Sequence, residues 1–141
     1  MGAQGMDEAS CLVKIPRHIW KYLQPETIEQ IKGIDWLRAN YPQTAKRTMH
    51  IPNERKQKPI WGYILNLMGL LKGASDLFIA EARGGYHGLF IEVKTKKGRL
   101  TESQKEFLHN VYQAGYKAEV AFGADELIKI IKEYLDMAET C

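Results

Sequence analysis

Cysteine is nearly missing from this chain of 141 residues: Cys11 and Cys141 lie near its two ends, neither with a Cys or His at a spacing that would build a zinc site. A disulfide framework is not indicated. No apolar run approaches the roughly 20 residues that a membrane span needs. The N-terminus also lacks a basic segment followed by an apolar one, so the expected location is the cytoplasm. Internal repeats and low-complexity tracts are absent as well. Charge of one sign is scarce: the net charge of +3 permits a polyanionic partner only if the Lys and Arg are gathered on one side.

What is present is ordinary for a soluble globular protein, with 45% hydrophobic and 26% charged residues. The length suits one domain over 1–141, with "MGAQGMDEAS" at 1–10 read as a cloning scar or an arm outside the fold. "LVKIPRHIWKYL" is a strand-like or helical lead-in. "PETIEQIKGIDWLRANYP" predicts a helix over 25–40, begun by Pro25, ended by Pro42 and carrying Ile28, Ile31, Ile34 and Leu37 at helical period. "RTMHIP" reads as a short strand, and "NERKQKP" as a basic loop leading to Pro59 and a helix that stops at Gly69. Two apolar runs follow, separated by "EARGGYH", whose Gly84 and Gly85 mark a hairpin. Thr101 and Gln104 fit a capping box opening a helix that Gly115 ends. "YKAEVAFG" is then a strand and "DELIKIIKEYLDMA" a final amphipathic helix. The predicted fold is α/β, a small mixed sheet flanked by helices.

The two apolar runs carry charges that a buried strand avoids. Alternation puts Phe90, Glu92 and Lys94 on one face and Leu89, Ile91 and Val93 on the other. Glu92 and Lys94 alone are explained by a solvated ion pair at a strand end, and "ERK" at 54–56 repeats the spacing with no strand around it. Asp76 changes that balance. A loop centred on Gly84 pairs residues whose numbers sum to 168 and sets Asp76 opposite Glu92, whereas a tight turn at Gly84 and Gly85 makes the sum 169 and separates their faces. A carboxylate pair therefore requires a longer loop or a bulge. Two such neighbours ionise together only with a cation between them, and Mg²⁺ is commonly held by one or two carboxylates plus water and phosphate. Lys94 beside such a site would orient an attacking water or neutralise charge growing on a phosphoryl oxygen. Lys96, Lys97 and Arg99 lie where a polyanion would pass, and are otherwise a solvated loop.

"GASD" at 73–76, "EVK" at 92–94 and Gln104 resemble the G-x-x-D, E-x-K, Q series of the VRR-NUC (virus-type replication-repair nuclease) domains, a branch of the PD-(D/E)xK nucleases. The similarity runs through "PETIEQIKGIDWLRANYP", "HIPNE", "NLMGLLKG" and "GRLTESQKEFLHNVYQAGY", about residues 25–132. It implies a restriction-endonuclease-like core and a Mg²⁺- or Mn²⁺-dependent nuclease. Asp76 and Glu92 become metal ligands, joined by the Val93 carbonyl, and Lys94 becomes the catalytic lysine. A helix-borne glutamate in an E-x-x-x-Q pattern matches Glu26 and Gln30, with Glu29 the competing candidate and Gly33 on the same stripe allowing close approach to the sheet. Ser75 departs from the family, which often has Pro there. Gln104 is either a site residue or only a capping residue. Asn53 sits at the edge of the site, Arg55 and Lys56 join the DNA-binding set, and His50 is read as a strand residue without a catalytic part.

For single-domain members, typically from bacteriophages, the resemblance implies a homodimer that acts on branched DNA such as four-way junctions. Two symmetric cuts need two active sites at fixed separation, which a two-fold dimer supplies. The competing readings are a nuclease of flaps or ends and a catalytically silent DNA-binding module. Trp20, Tyr22, Trp61 and Tyr63 serve a dimer surface, a partner surface or the core, and each taken singly reads as core.

Overall fold

The computed structural model describes residues 15–52 and 58–140; the expectations placed on residues 1–10, Cys11, Asn53, Arg55, Lys56 and Cys141 lie outside them. The lead-in is a 3-10 turn, Arg17–Tyr22. Pro25 then occupies the first turn of α1 (Pro25–Asn40), where its missing N–H leaves no partner unserved. Pro42 does more than end that helix, since it begins a further turn, α2 (Pro42–Ala45). The short edge strand β1 (Thr48–His50) follows. α3 (Pro59–Leu67) comes next, then β2 (Leu77–Ile79) and β3 (Leu89–Lys94). The chain closes with α4 (Glu102–Gln113), β4 (Lys117–Phe122) and α5 (Ala124–Leu135).

The strands form one mixed sheet in the order β1-β2-β3-β4. β1, β2 and β3 are antiparallel neighbours, and β4 returns parallel to β3 after the α4 crossover. Leu77, Ile79, Leu89, Ile91 and Val93 are buried on one face, in a core shared with Trp36 and Leu37 of α1 and Leu127 and Ile131 of α5. The opposite face carries an aromatic cluster in which Phe78 stacks on Phe90 at 4.4 Å and Phe107 of α4 meets Phe90 edge-on. Alternation along β3 thus separates an aliphatic layer from the layer that holds Glu92 and Lys94.

The buried stripe of α1 is Gly33, Trp36 and Leu37, rotated from the isoleucine stripe that periodicity suggests. Ile31 and Ile34 line a cavity of about 350 Å³ together with Gln30, Arg38 and His50, and Ile34 also packs against the edge of the core. Gly33 does allow a close approach, but to α5 rather than to the sheet: a Cβ there would lie 2.3 Å from Leu127 Cδ2.

α3 differs from its counterparts. Only Gly62 is buried in it, while Ile60, Trp61, Tyr63 and Leu67 are exposed, as are Met68 and Leu71 just beyond. The expectation that each aromatic is a core residue fails for all four: Trp20, Trp61 and Tyr63 are exposed, and so is Tyr22, at 70%. A helix apolar all round says that it wants cover without saying from where.

Candidate active site

The hairpin tip explains how Asp76 and Glu92 meet. Gly84 and Gly85 both have positive φ, 58° and 86°, and Arg83 pairs with Tyr86 across them, so the turn is the tight one, with a pair sum of 169. Yet Leu77 pairs with Ile91, Phe78 with Phe90 and Ile79 with Leu89, each summing to 168. Between the tip and the ladder, residues 80–82 face only 87 and 88, so one extra residue on the first arm shifts the register. Continued by one step, the ladder brings Asp76 level with Glu92.

Asp76 Oδ2 accepts a hydrogen bond from the Val93 amide at 2.7 Å. Its backbone carbonyl accepts from the Ile51 amide at 2.8 Å, which ties it to the end of β1. Glu92 is 1% exposed. Its Oε1 accepts from Gln104 Nε2 at 2.8 Å and lies 3.7 Å from Lys94 Nζ. No donor among the described residues reaches its Oε2, and Ser75 Oγ beside Asp76 is likewise buried without a partner. Burial first, and then the charge of Asp76, push the Glu92 carboxyl up to about 8, against the pull of Lys94; the charge of Glu26 also raises it. At neutral pH and without a cation the carboxylate pair therefore holds a proton.

Gln104 fills both of the roles set against each other above. Its backbone amide donates to Thr101 Oγ1 and its Oε1 accepts from the Thr101 amide, closing the capping box, while its Nε2 reaches Glu92. The helix start thereby becomes part of the site. Gly73 makes this possible. Its φ is +87°, and a Cβ would stand 2.4 Å from the Ser103 carbonyl oxygen, so only glycine lets the chain before Asp76 press against α4. Gly73→Ala should cost roughly 2 kcal/mol or more and loosen Gln104 from Glu92. Urea unfolding of the variant checks this, and a midpoint unchanged from wild type would refute it.

Of the two candidate glutamates on α1, only Glu26 is felt electrostatically at Glu92. Glu29 turns elsewhere: its Oε2 accepts from the Ala124 amide at 2.6 Å, capping α5, and its Oε1 is 3.8 Å from Lys32. Lys96, Lys97 and Arg99 are exposed on the loop leaving β3, continuous with the strand that ends at Lys94. His50 was discounted on sequence grounds, yet its Nδ1 lies 3.0 Å from the Asp76 carbonyl oxygen. The pairing of β1 with β2 puts it there, and no local spacing announces that pairing.

Among the described residues, no three His, Cys, Asp or Glu side chains converge closely enough to cage a metal ion. A hard divalent ion does not need a full cage, because it keeps water on several positions. Two facing carboxylates, one with an oxygen lacking any donor, fit such an ion on the protein side of its shell.

The sequence model of the VRR-NUC domain matches residues 13–125. A solved structure described as a "VRR_NUC domain protein" is similar, with a TM-score of 0.73 and 29% identity over 83% of this chain and 93% of its own. No curated protein sequence matches the chain closely enough to count as a relative.

Proposed function

Because the chain belongs to the VRR-NUC domain family, a family of nucleases, we propose that it is a divalent-metal-dependent endonuclease acting as a homodimer on branched DNA, four-way junctions above all. The observation that carries the reading is Glu92, buried beside the half-buried Asp76, with Lys94 Nζ 3.7 Å from Glu92 Oε1. Burying Glu92 and Lys94 beside a second carboxylate is costly without a task.

In this reading Asp76 and Glu92, with Glu26 in their field and the Val93 carbonyl beside them, hold Mg²⁺ or Mn²⁺. The ion would supply polarisation of the scissile phosphate and a more acidic water. Gln104 occupies Glu92 Oε1 and so leaves Oε2 for the ion. The Lys94 ammonium orients the attacking water and offsets the charge that grows on phosphoryl oxygen. Lys96, Lys97 and Arg99 grip flanking phosphates and fix the register of the strand without reading its bases. The exposed apolar surface of α3 supports the dimer, since a second copy would cover Trp61, Tyr63 and Leu67.

End-labelled four-way junction, flap, single-stranded and linear duplex DNA, each with Mg²⁺, Mn²⁺ or EDTA, test the proposal. Paired metal-dependent cuts near the junction are expected. The double variant Trp61→Arg, Tyr63→Arg should sediment as a monomer and nick one strand at a time. Cleavage confined to flaps or ends would discard junction resolution, and binding without cleavage of any substrate would leave a silent DNA-binding module.

A further inference from the structure

His50 Nδ1 stands between two groups: the Asp76 carbonyl oxygen at 3.0 Å and the Gln30 side-chain amide at 3.0 Å. A carbonyl oxygen can only accept, so a ring nitrogen at that distance makes a bond only if it carries the proton. With the proton on Nδ1, the Gln30 amide must present its oxygen rather than its nitrogen, a rotation that leaves the heavy-atom outline unchanged. One N–H then ties α1 to the backbone of the residue that heads the carboxylate pair.

The tie has a counterpart. Glu29, the neighbour of Gln30, caps α5 through the Ala124 amide, and the adjoining Gly123 amide donates to the Lys94 carbonyl at 2.8 Å. α1 is therefore fastened at one point to Asp76 and at another to the turn that holds Lys94. Glu26, one helical turn before Gln30, faces the site between those fastenings, and its charge reaches Glu92. Sliding or rolling of α1 would change the Glu26 position first.

Resting on the nuclease reading above, we propose that His50 is a positioning residue: its Nδ1–H, shared by Asp76 O and Gln30, holds α1 and Asp76 in the relative placement that cleavage requires. It touches no substrate in this role. Its effect should fall on the rate of the chemical step and not on DNA affinity.

The test uses the full chain. His50→Ala should lower the single-turnover cleavage rate about 10-fold to 100-fold, with DNA binding in EDTA and the melting temperature unchanged. His50→Asn, whose amide N–H falls near the place of Nδ1, should recover the rate to within about threefold. His50→Gln, whose amide reaches the place of Nε2, should not. Gln30→Ala should slow the reaction similarly, and the double variant should be no worse than either single one. Imidazole ¹⁵N spectra of the metal-free wild type at pH 8 should show the Nδ1–H tautomer for His50. A wild type that cuts while His50 carries its proton on Nε2, or an alanine variant that cuts within twofold of wild type, overturns the positioning role alone. Equal behaviour of the Asn and Gln variants overturns it too. A wild type that cuts nothing overturns the nuclease reading and this role together.

Discussion

Lys94→Met should lower single-turnover cleavage at pH 7 by about 100-fold to 1,000-fold, and Asp76→Ala by at least as much. Methionine keeps most of the lysine stem, which packs under Gly98, where even a Cβ would come within 3.0 Å of Lys94 Cβ. The loss then belongs to the ammonium and not to a cavity. Two effects combine. The charge that would steady the attacking water disappears, and so does the positive charge that pulls the Glu92 carboxyl down. Glu92 becomes harder to ionise in Lys94→Met, so the activity that remains should rise with pH further into the alkaline range than that of wild type. A pH series of single-turnover rates in Mg²⁺ measures this, and a profile parallel to wild type would show that Lys94 does not act on Glu92.

Glu92→Gln should abolish cleavage and yet make the metal-free protein more stable in alkali. In the folded chain Glu92 titrates at about 8 against an ordinary 4.5. Between those values the folded state holds a proton that the unfolded state has lost, so wild-type stability falls as pH rises from about 4.5 to about 8 and stays low above that. The full gap corresponds to at most about 5 kcal/mol, and relaxation of the site should leave roughly 2–4 kcal/mol. Glutamine removes the titration, keeps an oxygen for Gln104 and turns an amide donor toward Asp76. Urea unfolding in EDTA at about pH 4.5 and pH 9 should therefore find the two proteins close at the lower pH and the variant ahead at the higher one. Added Mg²⁺ should raise the wild-type midpoint and leave the variant unmoved. Equal pH dependence of the two proteins would mean that Glu92 is ionised at ordinary pH.

Such a gain on removing a functional carboxylate is what a site built against stability predicts. The other half of the pattern is Glu92 Oε2, which once ionised meets no donor among the described residues, whereas a glutamine amide there would donate to Asp76.

The sequence made the hairpin legible because Gly84 and Gly85 fix its tip and alternation fixes its faces. It also exposed the conflict between a tight turn and facing carboxylates, but not which residue resolves it, since an extra residue among 80–82 has no signature of its own. Thr101 and Gln104 were readable as a capping box because that pattern is local. The reach of Gln104 Nε2 to Glu92 spans two elements, and the choice between two roles dissolved once α4 was seen against β3. The contacts of Glu29 and His50 were not readable for the same reason: their partners, Ala124 and Asp76, are remote in sequence. Trp61 and Tyr63 look like core residues in any window of sequence, because hydrophobicity reports a wish for burial and not the chain that grants it.

The unequal arms of the hairpin make its chemistry a matter of residue count. Removing one residue from 80–82 would leave two residues facing 87 and 88, a regular ladder to the same glycine turn and Asp76 still level with Glu92, whereas removing two would set Asp76 against Ile91 in a regular ladder, with its carboxylate aimed into the aliphatic layer. Insertions and deletions in this arm are thus not graded by size. The bulge gives up one residue without loss and the next one missing turns the two acids to opposite faces, so a stretch outside the β2–β3 ladder governs whether the sheet carries a site.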